Sequence, residues 1–249
     1  NRIKDREAIN LGAALAEEGY NVLLVDLDPQ GNASTGLGLD PDDREYTTYD
    51  LLLDDAPLSK TIYKTPVEGL LLAPSTTDLS SADIEMMSIE KRSYLLHDAL
   101  RQPAIDAYEL DYILIDCPPS LSLLTINAMV ASDSILIPLQ SEFFALEGLS
   151  QLMLTVRQVR ESANPNLRIE GVLLTMYDGR NNLSQLVEAD ARNTLGGLVY
   201  QTVVPRNVRV SEAPSYAVPV TSYDPESKGA VAYRALAQEM VEKQNETTT

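Results

Sequence analysis

The sequence predicts a single α/β domain built on a doubly wound, mostly parallel sheet with helices on both faces. Three observations point there. Short, solidly apolar runs recur at residues 22–26, 69–74, 111–116, 134–138, 169–175 and 199–204. Runs of that length without polar alternation read as strands buried on both faces. Helical stretches separate most of them, and strands alternating with helices give a parallel sheet. No internal repeat, low-complexity linker or composition break divides the 249 residues, which are enough for one well-buried core.

Each element has its own reason. Residues 8–18 carry Ile9, Leu11, Leu15 and several alanines and stop at Gly19, a glycine C-cap. The first strand, 22–26, runs into a Pro/Gly/Asn/Ser-rich loop at 28–38. Residues 40–65 are acidic and irregular, which predicts short helices and turns. After the second strand, Ser80 or Ser81 caps a helix expected to reach Leu100. The third strand ends at Pro118-Pro119, and the fourth is 134–138. Helices at 146–162 and 183–195 flank the fifth strand. A polar loop over 205–229 precedes a last helix at 230–243, and residues 245–249 are expected to fray.

Composition narrows the function. Hydrophobic residues make up 44% and charged residues 22%, ordinary for a soluble globular chain. No apolar stretch approaches the ~18 residues of a membrane span. The polar start, residues 1–7, shows no secretory signal. One cysteine, Cys117, excludes a disulfide framework, and one histidine, His97, excludes a multi-histidine metal site. A reducing, cytoplasmic setting follows. The net charge is −18, which argues against a dedicated nucleic-acid binder. The acidity is uneven: residues 1–156 carry 9 basic and 26 acidic side chains, residues 157–249 carry 10 and 11. The last third can therefore still present a local basic face.

In a sheet of this kind ligands bind beyond the carboxyl ends of the strands. Two of those ends carry acids: Asp26-Leu27-Asp28-Pro29-Gln30-Gly31-Asn32 and Asp116-Cys117-Pro118-Pro119-Ser120. A carboxylate there is costly unless it meets a cation or several donors. Mg²⁺ with a nucleotide phosphate meets that need, since Mg²⁺ keeps several waters and takes few protein ligands. Helix capping by aspartate is the plainer alternative. Three other signals read as ordinary: Gly36-Leu37-Gly38 is no dinucleotide fingerprint, Met86-Met87 are expected in the core, and Cys117 is packing rather than a nucleophile.

These segments resemble the ParA/Soj family of partition ATPases, deviant Walker-type P-loop proteins. Residues 25–32 are similar to the family's second phosphate-site motif. Residues 112–120 are similar to its Walker B segment. Pro138-Leu-Gln-Ser-Glu142-Phe-Phe-Ala-Leu-Glu-Gly148, Gly171-Val-Leu-Leu-Thr175-Met-Tyr-Asp178 and Val204-Pro-Arg-Asn-Val-Arg209 match later segments, and residues 225–239 match the terminal one. The likeness covers nearly the whole chain from Ala8. It departs at the start. The family opens on a strand and a glycine-rich lysine loop that holds phosphate. Here Asn1-Arg-Ile-Lys4-Asp5-Arg-Glu7 stands in that place, with no glycine. Residues 1–7 are therefore atypical or truncated, and the fold expected is P-loop NTPase-like without its first strand. The complete downstream motifs favour a fragment of a normal ATPase over a variant unable to hold triphosphate.

The resemblance implies ATP and Mg²⁺ as cofactors, with Asp28 orienting the attacking water and Asp116, with Asp28, at the metal. Asp26, Gln30 and Asn32 support that loop. Lys4 falls in the register of the phosphate-binding lysine. Thr175, Met176, Asp178, Pro205, Arg206 and Asn207 fall where the family holds the base. Arg180 and Arg209 fall where it meets DNA without reading sequence. It further implies an ATP-driven homodimer, a ParB-type centromere-binding partner, a nucleoid-associated location and no membrane. A non-catalytic binding module of the same fold is the alternative. A MinD-like membrane ATPase fits less well, since residues 241–249 are short, polar and not basic.

Overall fold

The computed structural model describes residues 4–141 and 145–247. Helix α1 (Lys4–Glu17) leads into β1 (Val22–Asp26). Gly19 ends the helix as the sequence predicts: at φ +93° it allows the Tyr20 N–H to donate back to the Leu15 carbonyl. The short helices α2 (Asn32–Gly36), α3 (Thr48–Leu53) and α4 (Leu58–Thr61) precede β2 (Tyr63–Lys64) and β3 (Leu70–Ala73). Next come α5 (Leu79–Met86), α6 (Leu95–Ala99), β4 (Tyr112–Asp116), α7 (Leu123–Ala131) and β5 (Ser134–Gln140). The chain closes with α8 (Ala145–Ser162), β6 (Arg168–Thr175), α9 (Asn182–Leu195), α10 (Val208–Glu212), α11 (Val220–Tyr223) and α12 (Lys228–Thr247).

β1 sits between two parallel partners, β3 and β4, and β2 adds an antiparallel edge in the order β2-β3-β1-β4. Its five residues alternate between two cores. Val22 and Leu24 pack with α1 and α12 on one face, through Leu15, Tyr233 and Leu236. Leu23 and Val25 pack with α3, α5 and α6 on the other, through Leu51, Leu79 and Leu96. This is the doubly wound arrangement, and it explains why the strand reads as an unbroken apolar run.

The sheet is divided. β5 and β6 form a separate parallel pair. The outer edges of β4 and β5 face each other across a cavity of about 1560 Å³, which residues of α1 such as Ala8 and Leu11 also line. Among the described residues no strand fills that interval.

Five expectations need correction. The helix expected from Ser80 to Leu100 breaks after Met86, with Lys91 at φ +58°. Buried Asn127 compensates the broken backbone: its amide donates to the Arg92 carbonyl at 2.8 Å and its oxygen accepts from Leu96 N–H at 3.2 Å. Met86 is buried as expected, but Met87 is exposed beyond the end of α5. Residues 199–204 bond to β6 only by Tyr200 N–H to Val172 and Val204 N–H to Leu174, so they form an isolated bridge rather than a strand. The polar loop 205–229 contains α10 and α11, and the last helix continues to Thr247.

Gly171 tests how closely residues 198–204 lie on β6. A Cβ there would meet the Tyr200 ring at 2.3 Å and the Leu198 carbonyl at 3.0 Å. Gly171→Ala is therefore expected to cost about 1–3 kcal/mol through overpacking. Urea unfolding should show a lower midpoint at unchanged slope, and an unchanged midpoint would contradict this packing.

Candidate functional site

The site begins at the tip of β1. Asp26 is completely buried, and its carboxylate accepts from three donors: Asp28 N–H at 3.0 Å, Ser34 N–H at 2.9 Å and Ser34 Oγ–H at 2.7 Å. The first bond folds an Asx turn that reverses the chain at once. Asp28 repeats the device, accepting from Gln30 N–H at 2.9 Å. Gly31 follows at φ +59°, a backbone that disfavours any side chain. Its N–H closes the turn onto the Asp28 carbonyl at 2.9 Å. The turn is fixed from β3 as well, where Ser75 Oγ–H donates to the Asp28 carbonyl at 2.5 Å and Ser75 N–H donates to Ser34 Oγ at 3.1 Å.

The second acid stands beside this turn. β1 and β4 pair in register, with Asp26 opposite Asp116, and Leu27 N–H continues the ladder to the Asp116 carbonyl at 2.9 Å. Asp28 and Asp116 therefore occupy neighbouring strand tips, only 6% and 4% exposed. Asp116 lines the large cavity together with Glu7 of α1, whereas Asp28 does not line it. Cys117 packs against the core beneath, as expected.

The other predicted residues divide. Met176, Pro205 and Asn207 meet around a cleft of about 10 Å³ beside Arg6 and Tyr233, room for about one water. Met176 adopts φ +52°, a left-handed backbone held where Tyr177 N–H donates to the Val204 carbonyl and Arg206 N–H to the Tyr177 carbonyl. Thr175, Asp178 and Arg206 do not line that cleft. Thr175 is wholly buried at the end of β6. Asp178 pairs with Arg180 at 3.1 Å, and the guanidinium holds its carboxyl below the usual range. Arg209 pairs with Glu212 at 3.0 Å and Asp224 at 3.2 Å. Both DNA candidates are thus exposed and already carry acidic partners. Lys4 opens α1, and its side chain lies outside the described residues. Sequence reasoning passed over Ser34, Ser75 and Arg44, which build the turn. Arg44 had one visible signal: it is the only basic residue between Arg6 and Lys60.

A family model described as an AAA domain matches residues 3–169. The chromosome partitioning protein ParA of Caulobacter vibrioides is 51% identical over 243 residues, covering 98% of this chain and 91% of that protein. The sporulation initiation inhibitor protein Soj of Bacillus subtilis is 51% identical over 237 residues, covering 95% and 92%. This chain belongs to the ParA/Soj family of partition ATPases. Among solved structures, cobyrinic acid a,c-diamide synthase from Mycobacterium smegmatis, crystallised with ADP and magnesium, superimposes with TM-score 0.81 at 35% identity, covering 96% of this chain and 88% of that one.

Asp116 is the residue of this ParA/Soj chain that would hold the magnesium of such a ligand. Among the described residues no group of three His, Cys, Asp or Glu side chains could cage a metal. An ion at Asp116 would take most of its ligands from water and phosphate, which is how Mg²⁺ prefers to bind. The phosphate end differs. Residues 1–11 of this ParA/Soj chain, as given, contain no glycine.

Two measurements test this geometry. Ser34→Ala removes the hydroxyl between Asp26 and Ser75 and should cost about 1–3 kcal/mol, because it orphans buried partners; calorimetric melting checks it. Arg180→Ala should return the Asp178 pKa upward toward its ordinary value, read from the pH dependence of its side-chain carbon resonance.

Proposed function

We propose that this chain is an ATP-dependent partition protein in which Asp28 and Asp116 form the hydrolytic centre. The observation that carries the reading is the backbone bond from Leu27 to Asp116, which sets the two buried acids at adjacent strand tips. Mg²⁺, when bound, would supply positive charge to the phosphates, and Asp116 would hold it. Asp28, its carboxylate aligned by the Gln30 N–H, accepts a hydrogen bond from the attacking water and orients it. The base is assigned to lie over the segments at 175–178 and 205–207, since the cleft between them holds only about one water; Met176 and Pro205 offer it apolar surface and Asn207 a polar edge. Thr175, Asp178 and Arg206 are assigned to the same base-binding segments. Lys4 is assigned to the phosphate end.

ATP binding brings two copies together, and the dimer doubles a DNA-contact face at Arg180 and Arg209. Phosphate neutralisation needs only a few clustered cations and reads no sequence. A ParB-type partner stimulates hydrolysis and releases the DNA, which places the protein on the nucleoid in the cytoplasm. Names of relatives such as Caulobacter ParA support the partition role, and the synthase crystallised with ADP and magnesium supports the ligand.

Full-length protein with MgATP is expected to turn over slowly. Asp28→Ala should lower turnover at least 100-fold, with nucleotide affinity by calorimetry within about threefold. Equal turnover would remove Asp28 from the mechanism, and no binding heat with MgATP on a folded sample would favour a non-catalytic module. Separately, Arg180→Glu with Arg209→Glu should weaken DNA binding and reduce its salt dependence by about one phosphate contact per arginine. An unchanged salt slope in filter binding would place the DNA face elsewhere.

A further inference from the structure

Arg44 is 8% exposed, and its guanidinium reaches three residues in two segments, 35–39 and 75. Nε–H and Nη2–H donate to the Leu39 carbonyl at 3.1 and 2.7 Å, Nη2–H also donates to Thr35 Oγ at 2.8 Å, and Nη1–H donates to the Ser75 carbonyl at 2.8 Å. Every one of these acceptors is neutral. Two of the residues touched hold the Asp28 turn. Ser75 Oγ–H donates to the Asp28 carbonyl, and Thr35 Oγ–H donates to the Gly31 carbonyl at 3.1 Å. The guanidinium also lies against the turn itself, since a Cβ on Gly31 would fall 2.5 Å from Nη1.

This burial is costly for a cation. Loss of water outweighs the attraction of Asp26 and Asp40 and lowers the Arg44 pKa. A buried charge of this kind is weak evidence of a stabilising role, because apolar replacements of similar volume are often neutral. Its geometry is more informative. Lysine could not replace it, since only a planar fork with five donors reaches three acceptors in fixed directions.

We propose that Arg44 is a positioning residue for the reaction: it clamps the 28–35 turn onto the end of β3 and so fixes the direction of the Asp28 carboxylate. The proposal rests on the reading of Asp28 as the water-orienting group. Arg44 touches no reacting atom. Its effect passes through Ser75 and Thr35 to the two ends of the turn, as outer-shell partners act on the groups they orient.

The test compares Arg44→Met, Arg44→Lys and Ser75→Ala in the full-length protein. Ser75→Ala cuts the link to Asp28 without changing charge and covers the case in which an Arg44 variant fails to fold. Two readouts are taken: amide hydrogen exchange at Gln30 and Gly31, and kcat with KM for MgATP. In each folded variant, exchange at both amides is expected to accelerate at least tenfold, while kcat falls 10–100-fold and KM stays within about twofold. Arg44→Lys should not restore kcat. Unchanged exchange overturns the clamp. Faster exchange with full kcat overturns the positioning role, provided Asp28→Ala is inactive in the same assay. If Asp28→Ala is fully active, the hydrolytic reading has failed instead, and the exchange data alone decide whether Arg44 holds the turn.

Discussion

The buried carboxylate of Asp26 is the constraint on which the site depends. An acid at the end of a fully apolar strand has lost its water and must recover it as hydrogen bonds. Among the described bonds, Asp26 accepts three from residues that follow it within eight positions, Asp28 and Ser34. Meeting that demand folds the chain back on itself, starts α2 and leaves Asp28 at the apex. The same carboxylate reaches β3 through the Ser34 hydroxyl, which accepts from Ser75. Thr48 Oγ–H adds a bond to the Asp26 carbonyl at 2.9 Å. One desolvated charge thus organises segments up to about fifty residues apart. The second acid needs no separate device, because the register of β1 on β4 delivers Asp116 to the same edge.

The divided sheet follows from equally simple geometry. β1 is satisfied on both sides and anchors both cores, so the four-stranded part is complete in itself. β5 and β6 have their own core around Ile137, Val172 and Leu174. The two parts are joined across the upper face instead, where Leu173, Tyr200 and Val204 belong to the same cluster as α1 and α12. Helices α1 and α12 therefore carry much of the cohesion between the sheet halves. This places Glu7 and Asp116 on a shared cavity wall rather than in a packed interior.

The strands and the acids were legible because their signals are local. A run such as Val22-Leu-Leu-Val-Asp26 declares two-sided burial by itself, and an aspartate at its end declares a chemical problem. What could not be read depends on partners distant in sequence. α7 is not legible because Leu123–Ala131 is buried nearly all round, polar only at Thr125 and Asn127, and periodicity cannot separate a buried helix from a strand. The break after Met86 depends on Asn127, about forty residues away. Residues 199–204 look like a strand by composition, but close approach of the Tyr200 ring to Gly171 limits their pairing with β6. In the site, Asp26, Asp28 and Asp116 could be named from sequence. Arg44 and Ser75 could not be given roles, because nothing local says that a lone arginine in an acidic stretch turns inward.

The charge of the chain bears on how the proposed DNA contact can work. A net −18 repels a polyanion at long range, yet that repulsion is screened over about 8–10 Å at physiological salt. Arg180 and Arg209 are exposed, and their pairs with Asp178, Glu212 and Asp224 are the surface kind, which contribute little. Trading such a carboxylate for a phosphate oxygen costs little. The acids that resist exchange are elsewhere: Asp26, Asp28 and Asp116 are buried, and most of the remainder precede residue 157. A single copy therefore offers too few cations against too much background charge, and doubling the arginines in a dimer raises the local term while the distant acids remain screened. In the function proposed above, the charge distribution then gives a physical reason for coupling DNA contact to a second copy, and nucleotide-driven pairing would control whether DNA is held.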